Sequence, residues 1–359
     1  MPGPPPSSPP PFPLSGRLIL ITGGNGTIAA ATAVAVARRG AAVVLGCRRP
    51  DAAAAAVREV REAVPAASVR SHPLDLSSPA SVAAFARAFA PPAARPAALL
   101  NAAATGNLFG VSVRGLWCAL TRRPLAGNGT EGGGVAAGCP PPELVVNAVG
   151  VAALTAAICG AGAASPPPLV VNLSSRAHRQ AHLPSLLRAL EGAPPPNGVA
   201  GAVRAAFGYP PYADAKLANL LAVRAAAAAI VRGGSRGSGG GGGMVVAVHP
   251  GVVASGLFPT PLRAVLRALP PRVRAAVGGR DASVVGEELA DLLQRGLTGG
   301  LGGSGGGDSL VHGGYYVPGG RLGVVGSMVT PAAVRAYERA MARALVACGF
   351  VERGGGASA

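Results

Sequence analysis

The chain has 359 residues, 49% of them hydrophobic and 13% charged, and its 32 basic residues against 15 acidic ones give a formal charge of +17. Gly and Pro make up 89 of the 359 positions, about twice the usual share, but the glycines follow no three-residue period, which excludes a collagen-like fibre, and the hydrophobicity excludes a chain disordered throughout. The basic residues are almost all Arg, scattered in ones and twos such as Arg48 and Arg49, with 4% aromatics. Without a basic run or interleaved aromatics, the charge reads as general basicity and no nucleic-acid partner is expected.

Residues 1–15 form a Pro-rich stretch expected to be a disordered or polyproline-like tail. It lacks an apolar signal core, and a strand begins by Leu18, so the reading is an intracellular, cytoplasmic protein, with organelle targeting left open. Residues 16–350 read as one domain and residues 351–359 as a second disordered tail. From Leu18 the chain runs LILIT, GGNG, TIAAATAVAVARRG, AAVVLGC, a strand, a tight turn, a helix and a strand, which is a βαβ unit. Further buried strands are predicted at 69–74, 97–101, 169–173 and 244–248, with helical stretches between them. This alternation predicts an α/β fold: a single doubly wound Rossmann-type domain with a mostly parallel sheet and helices on both faces. Residues 105–142, 233–243 and 299–308 are rich in Gly, Ser or Pro and read as surface insertions.

The apolar stretch 145–164 contains Asn147 and three glycines, Gly150, Gly160 and Gly162. It reads as a buried helix, so no transmembrane segment is expected, while peripheral membrane contact and a homo-oligomer stay open. The cysteines Cys47, Cys118, Cys139, Cys159 and Cys348 are far apart, odd in number and without zinc spacing. A reduced compartment and no bound metal follow.

The turn Thr22, Gly23, Gly24, Asn25, Gly26, Thr27, Ile28, Ala29 lies between a strand and a helix, where glycines let the backbone approach a pyrophosphate at the helix N-terminus; a plain βα turn is the alternative. After the second strand, Arg48 stands where an acid would bind the ribose of NAD, and arginine there favours the 2′-phosphate of NADP, unless it is ordinary surface arginine. Asp75, followed by Leu76, suits either the adenine edge or the cap of the next helix. Tyr212 and Lys216 are four residues apart on a segment opened by Pro210 and Pro211, so they share one helix face. An ammonium beside a phenol favours its phenolate, which suits proton transfer.

These segments together resemble the short-chain dehydrogenase/reductase family, in particular its retinol dehydrogenase and protochlorophyllide reductase branch. The resemblance covers about Gly16 to Phe350 and rests on TGGNGTIA, LGCRR, LDL, LLNAAA, VNAVG, VVNLSSRAH, YADAKLAN and VHPGVVAS, in family order. It implies Tyr212 as general acid/base, Lys216 on the nicotinamide ribose, Ser175 positioning the substrate oxygen and Asn147 holding a relay water. It further implies Asn101, Pro250, Gly251, Val253 and Ser255 along the nicotinamide side, with Thr22, Gly23, Asn25, Gly26, Thr27 and Ile28 around the phosphates and Asp75 and Leu76 beside the adenosine. Thr27, Ala102 and Ser255 depart from the family's Gly, Asn and Thr.

The expected activity is reversible NADP(H)-linked hydride transfer between an alcohol and a carbonyl on a lipophilic small molecule. A nucleotide-binding scaffold of the same fold and a tetrapyrrole C=C reductase are the alternatives. His178 is expected to flank the substrate pocket and His249 to pack beside a turn.

Overall fold

The computed structural model describes residues 12–106, 139–160, 167–193, 209–232, 243–276, 279–298 and 310–352. Most of the three predicted insertions, and the tail before Phe12, lie outside them. The first half of the chain alternates as predicted: β1 (Leu18–Thr22), α1 (Thr27–Arg38), β2 (Ala42–Cys47), α2 (Pro50–Ala63), β3 (Val69–Pro73), α3 (Pro79–Ala88) and β4 (Ala98–Asn101). Then follow α4 (Pro142–Gly160), β5 (Leu169–Leu173), α5 (Leu183–Leu190), α6 (Tyr209–Arg232) and β6 (Val245–Val248). The remaining elements are β7 (Val252–Val253), α7 (Thr260–Ala268), α8 (Pro271–Ala276), β8 (Gly279–Arg280), α9 (Ala282–Thr298), β9 (Tyr315–Val317), β10 (Arg321–Leu322) and α10 (Pro331–Ala347).

Eight strands form one sheet in the order β10-β9-β6-β5-β4-β1-β2-β3, parallel except for the edge strand β10, while β7 and β8 pair separately. Successive residues alternate between its faces. Ile19 and Ile21 of β1 join the core under α1 and α9, whereas Leu20 joins the core under α3, α4 and α6. A third apolar cluster packs α5, α6 and α10 together. Where α9 meets α1, a Cβ on Gly286 would stand 2.6 Å from the carbonyl of Ala31, so glycine lets the two helices touch backbone to backbone.

Two expectations need correction. Leu14 is fully buried and its N–H donates to Arg39 O at 2.9 Å, so the packed chain begins inside the stretch read as a tail; one apolar side chain covering the end of α1 outweighs the prolines before it. Cys139 and Cys348 form a disulfide across 209 residues, against the reduced state read from cysteine spacing, because sequence separation does not reveal which termini the fold brings together. Among the described residues α4 alone is long and apolar enough to cross a membrane, and half of it is buried within the fold.

Candidate active site

The sheet order reverses direction between β1 and β4, and in doubly wound sheets ligands settle beyond the carboxyl ends of the strands at that point. There the Gly-rich turn folds back on β2: the N–H groups of Gly23 and Gly24 donate to Gly46 O at 2.8 and 3.2 Å, and Gly26 N–H donates to Gly23 O at 2.7 Å. Gly23 has φ +65°, and a Cβ on it would lie 2.7 Å from Ala103 Cα. The N-terminal amides of α1, on Thr27, Ile28 and Ala29, have no helical acceptors, and no side chain caps them.

Those amides border a cleft of about 500 Å³. Gly23, Asn25, Gly26, Thr27 and Ile28 of the turn line it, together with Arg48, Arg49, Asp75 and Leu76 after β2 and β3 and with Ser255 and Arg263. Asp75 Oδ1 accepts from the N–H and the hydroxyl of Ser77 at 2.9 and 2.6 Å, while Ser78 caps α3 through its 3.2 Å bond from Ser81 N–H. Asp75 therefore shapes a turn at the cleft edge and is not the helix cap. An exposed amide cradle, glycines that leave no room for a Cβ, and exposed arginines after β2 fit a dinucleotide whose phosphates lie on α1. Thr27 occupies the first helical position and lines the cleft without closing the cradle.

Other predicted residues serve the walls. Thr22 is buried, its hydroxyl accepting from the N–H groups of Ala102 and Ala103, both at 3.1 Å, which ties β1 to the end of β4. Asn101 donates to Thr155 Oγ1 at 3.0 Å and Asn172 Oδ1 at 2.7 Å, clamping α4 to the sheet. Val253 faces the core with the sheet and α9, so its side chain does not line the cleft. Pro250 O accepts from Arg280 Nη1 at 3.0 Å; that guanidinium also pairs with Glu288, and the aliphatic stem of Arg280 stands where a Cβ on Gly251, at φ +86°, would go.

The residues expected to handle the proton lie on α6, at the end of β5 and in α4. Tyr212 and Lys216 lie one turn apart on α6, with Lys216 Nζ 5.4 Å from the Tyr212 ring centroid. Lys216 is buried and donates to Leu173 O at 2.9 Å, and burial pushes its ammonium down to about 8. Leu173 ends β5, and the next two residues are both serines. Ser174 Oγ turns inward to Lys216 O at 2.9 Å, while the half-buried Ser175 accepts Ala177 N–H at 3.2 Å. Asn147 sits in a π turn of α4 (Val145–Val149) and brackets Thr105, accepting its N–H at 2.8 Å and donating to its carbonyl at 2.7 Å. Thr105 lines the cleft, so Asn147 joins the two halves of the site.

His178 Nδ1 lies 2.6 Å from Ser175 O, and its Nε2 accepts Gly326 N–H at 3.2 Å. Burial holds it below the usual histidine range, and the contacts fix a neutral ring protonated at Nδ1. His249 Nδ1 accepts Gly251 N–H at 3.3 Å. Arg49 lines the cleft beside Arg48, and sequence reasoning missed Thr105 and Arg263, whose surroundings carried no signal.

A family model for short chain dehydrogenases matches residues 17–112. Dehydrogenase/reductase SDR family member 13 of Bos taurus is 35% identical over 271 residues, 74% of this chain and 60% of that protein. Retinol dehydrogenase 12 of Bos taurus is 31% identical over 245 residues, 68% of this chain and 64% of that protein. The chain belongs to the short-chain dehydrogenase/reductase family. It spans less than two thirds of the length of these relatives. The Pseudomonas aeruginosa RhlG/NADP active-site complex shares its fold at TM-score 0.53 and 20% identity, over 87% of this chain and 98% of that one. Members of the family use nicotinamide cofactors, and the amide cradle on α1 is the feature of this chain that suits one.

Proposed function

We propose that the protein is an NADP(H)-dependent oxidoreductase interconverting an alcohol and a carbonyl on a lipophilic small molecule. The observation that carries this reading is the placement of Tyr212 and Lys216 on one face of α6, with Lys216 bonded to the end of β5 that leads into Ser175. The nicotinamide, when bound, gives or takes the hydride. Tyr212 gives or takes the hydroxyl proton. Lys216 holds a positive charge beside the ring on which negative charge develops, and Ser175 donates to the substrate oxygen, shortening the search for a reactive geometry. Asn147 keeps Thr105 and the cleft wall in register with α4. Support for NADP comes from Arg48 and Arg49 lining the cleft and from the NADP bound by the RhlG structure; support for a lipophilic substrate comes from the retinol dehydrogenases among the relatives.

The test is NADPH consumption against a panel of lipophilic aldehydes and ketones, with Tyr212→Phe alongside. Loss of the general acid should lower turnover by about 10²- to 10⁴-fold and leave NADPH binding, read by its fluorescence, unchanged. A Tyr212→Phe variant as active as the parent overturns the assignment. NADPH binding without turnover on any of the panel would favour the scaffold reading.

A further inference from the structure

Helix α7 wears its apolar face outward. Leu262, Val265, Leu266 and Leu269 recur at positions i, i+3, i+4 and i+7, the stripe by which a surface helix ordinarily packs on a core. Yet no residue of α7 is buried, and Leu262 and Val265 are 36% and 56% exposed. Arg263 and Arg267 lie on the neighbouring face: the half-buried Arg263 borders the cleft at the Gly-rich turn, and the exposed Arg267 stands at the rim of a second cavity between α1 and α9 that also holds Glu59 and Glu287. The next helix continues the pattern, with Val273 47% exposed beside an exposed Arg272.

Charge identifies what covers this face. Residues 252–280 contain five arginines and no Asp or Glu. Arg274 pairs with Asp281 and Arg280 with Glu288, but among the described residues no carboxylate pairs with Arg263, Arg267 or Arg272. A protein partner or second copy would gain from the apolar stripe but would have to supply its own acids. A surface of anionic lipid offers apolar depth and negative charge in the layers this helix presents.

We propose that α7 and α8 form a peripheral docking element for an anionic lipid surface. Leu262, Val265 and Val273 enter the acyl boundary, and the aliphatic stems of Arg267 and Arg272 run back along the helices to place their guanidinium groups among the phosphates. Ser255 and Leu257, just before α7, line the nucleotide cleft, so docking sets one wall of that cleft at the lipid surface. The inference goes beyond the catalytic reading and does not need it.

The experiment is co-sedimentation of the whole chain with vesicles of phosphatidylcholine, alone or mixed with phosphatidylserine. Binding is expected to the mixed vesicles and not to phosphatidylcholine alone. Val265→Asp with Val273→Asp, and separately Arg267→Glu with Arg272→Glu, should each weaken it by about tenfold or more while the melting temperature and NADPH binding hold. If the aspartates unfold the chain, Val265→Ser with Val273→Ser makes the same comparison. The proposal is overturned by absent binding, by binding that both variants keep, which would reflect only the general positive charge, or by loss on charge reversal alone, which would exclude insertion. It is equally overturned if light scattering finds a dimer that the valine variant splits, since a second copy would then be the cover.

Discussion

His178 receives the N–H of Gly326 on Nε2 at 3.2 Å, so the ring beside Ser175 has no place for a second proton. Both buried histidines refuse protons: burial lowers His178, and burial with nearby positive charge lowers His249 to about 4, from an ordinary value of 6.5. The unfolded chain binds more protons than the folded one between these values, so stability falls as pH drops from 6.5 toward about 4, at about 1.4 kcal/mol per unit of depression. Urea midpoints across that range should drop in the parent and drop less in His249→Gln. Parallel curves for the two would contradict the assignment.

Lys216 works in the opposite window. Burial lowers its ammonium from 10.5 to about 8, so between those values the unfolded chain holds the extra proton and stability rises with pH. Relative to Lys216→Met, the parent should gain stability from pH 8 to 10, whereas at pH 7 the variant should be at least as stable as the parent. Thermal melts at three pH values would show it; a parent that loses ground as pH rises would not fit.

Arg48 and Arg49 are both exposed and line the cleft. A charge-assisted grip on a 2′-phosphate is worth about 1.5 to 3 kcal/mol, so NADPH should bind about ten- to a hundredfold more tightly than NADH. Removing both arginines should erase the difference. Titration of both cofactors into parent and double alanine variant measures it, and equal parent affinities would refute it.

Gly23 and Gly160 make a contrasting pair. At Gly23 a side chain meets Ala103 backbone at 2.7 Å and a positive φ, whereas at Gly160 nothing stands within 4 Å. Gly23→Ala should cost about 1 to 3 kcal/mol and weaken nucleotide binding; Gly160→Ala should be neutral or slightly stabilising. Calorimetry of the two variants separates them.

The Cys139–Cys348 link ties the approach to α4 to the end of α10. Under oxidising conditions Cys348→Ser should lower stability by about 2 to 5 kcal/mol, and dithiothreitol should lower the parent to the same level. Peptide mapping without reductant should recover the cross-linked pair.

The sheet and the shared helix face of Tyr212 and Lys216 were legible because their signals are local: continuous apolar runs mark buried strands, glycines mark a turn that admits no Cβ, and a four-residue spacing sets Tyr212 one turn from Lys216. What escaped depends on partners distant in sequence. Thr22 looks like a cleft residue until Ala102 and Ala103 claim its hydroxyl. Asn101 reads as a cofactor residue, but that its Nδ2 also joins Asn172 to Thr155 could not be read from its neighbours in sequence. Val253 sits in a ligand-binding motif, yet alternation along β7 turns it inward. Strands of two or three residues, such as β7, β8 and β10, are too short for any periodicity to announce.

The bracket that Asn147 makes around Thr105 is one of two independent fastenings near the start of α4. Thr105 is held by a pair of hydrogen bonds, while Cys139, three residues before that helix, is bonded to Cys348. A reductant cuts the second tie and leaves the first, so Thr105 should keep its place on the cleft rim in the reduced protein.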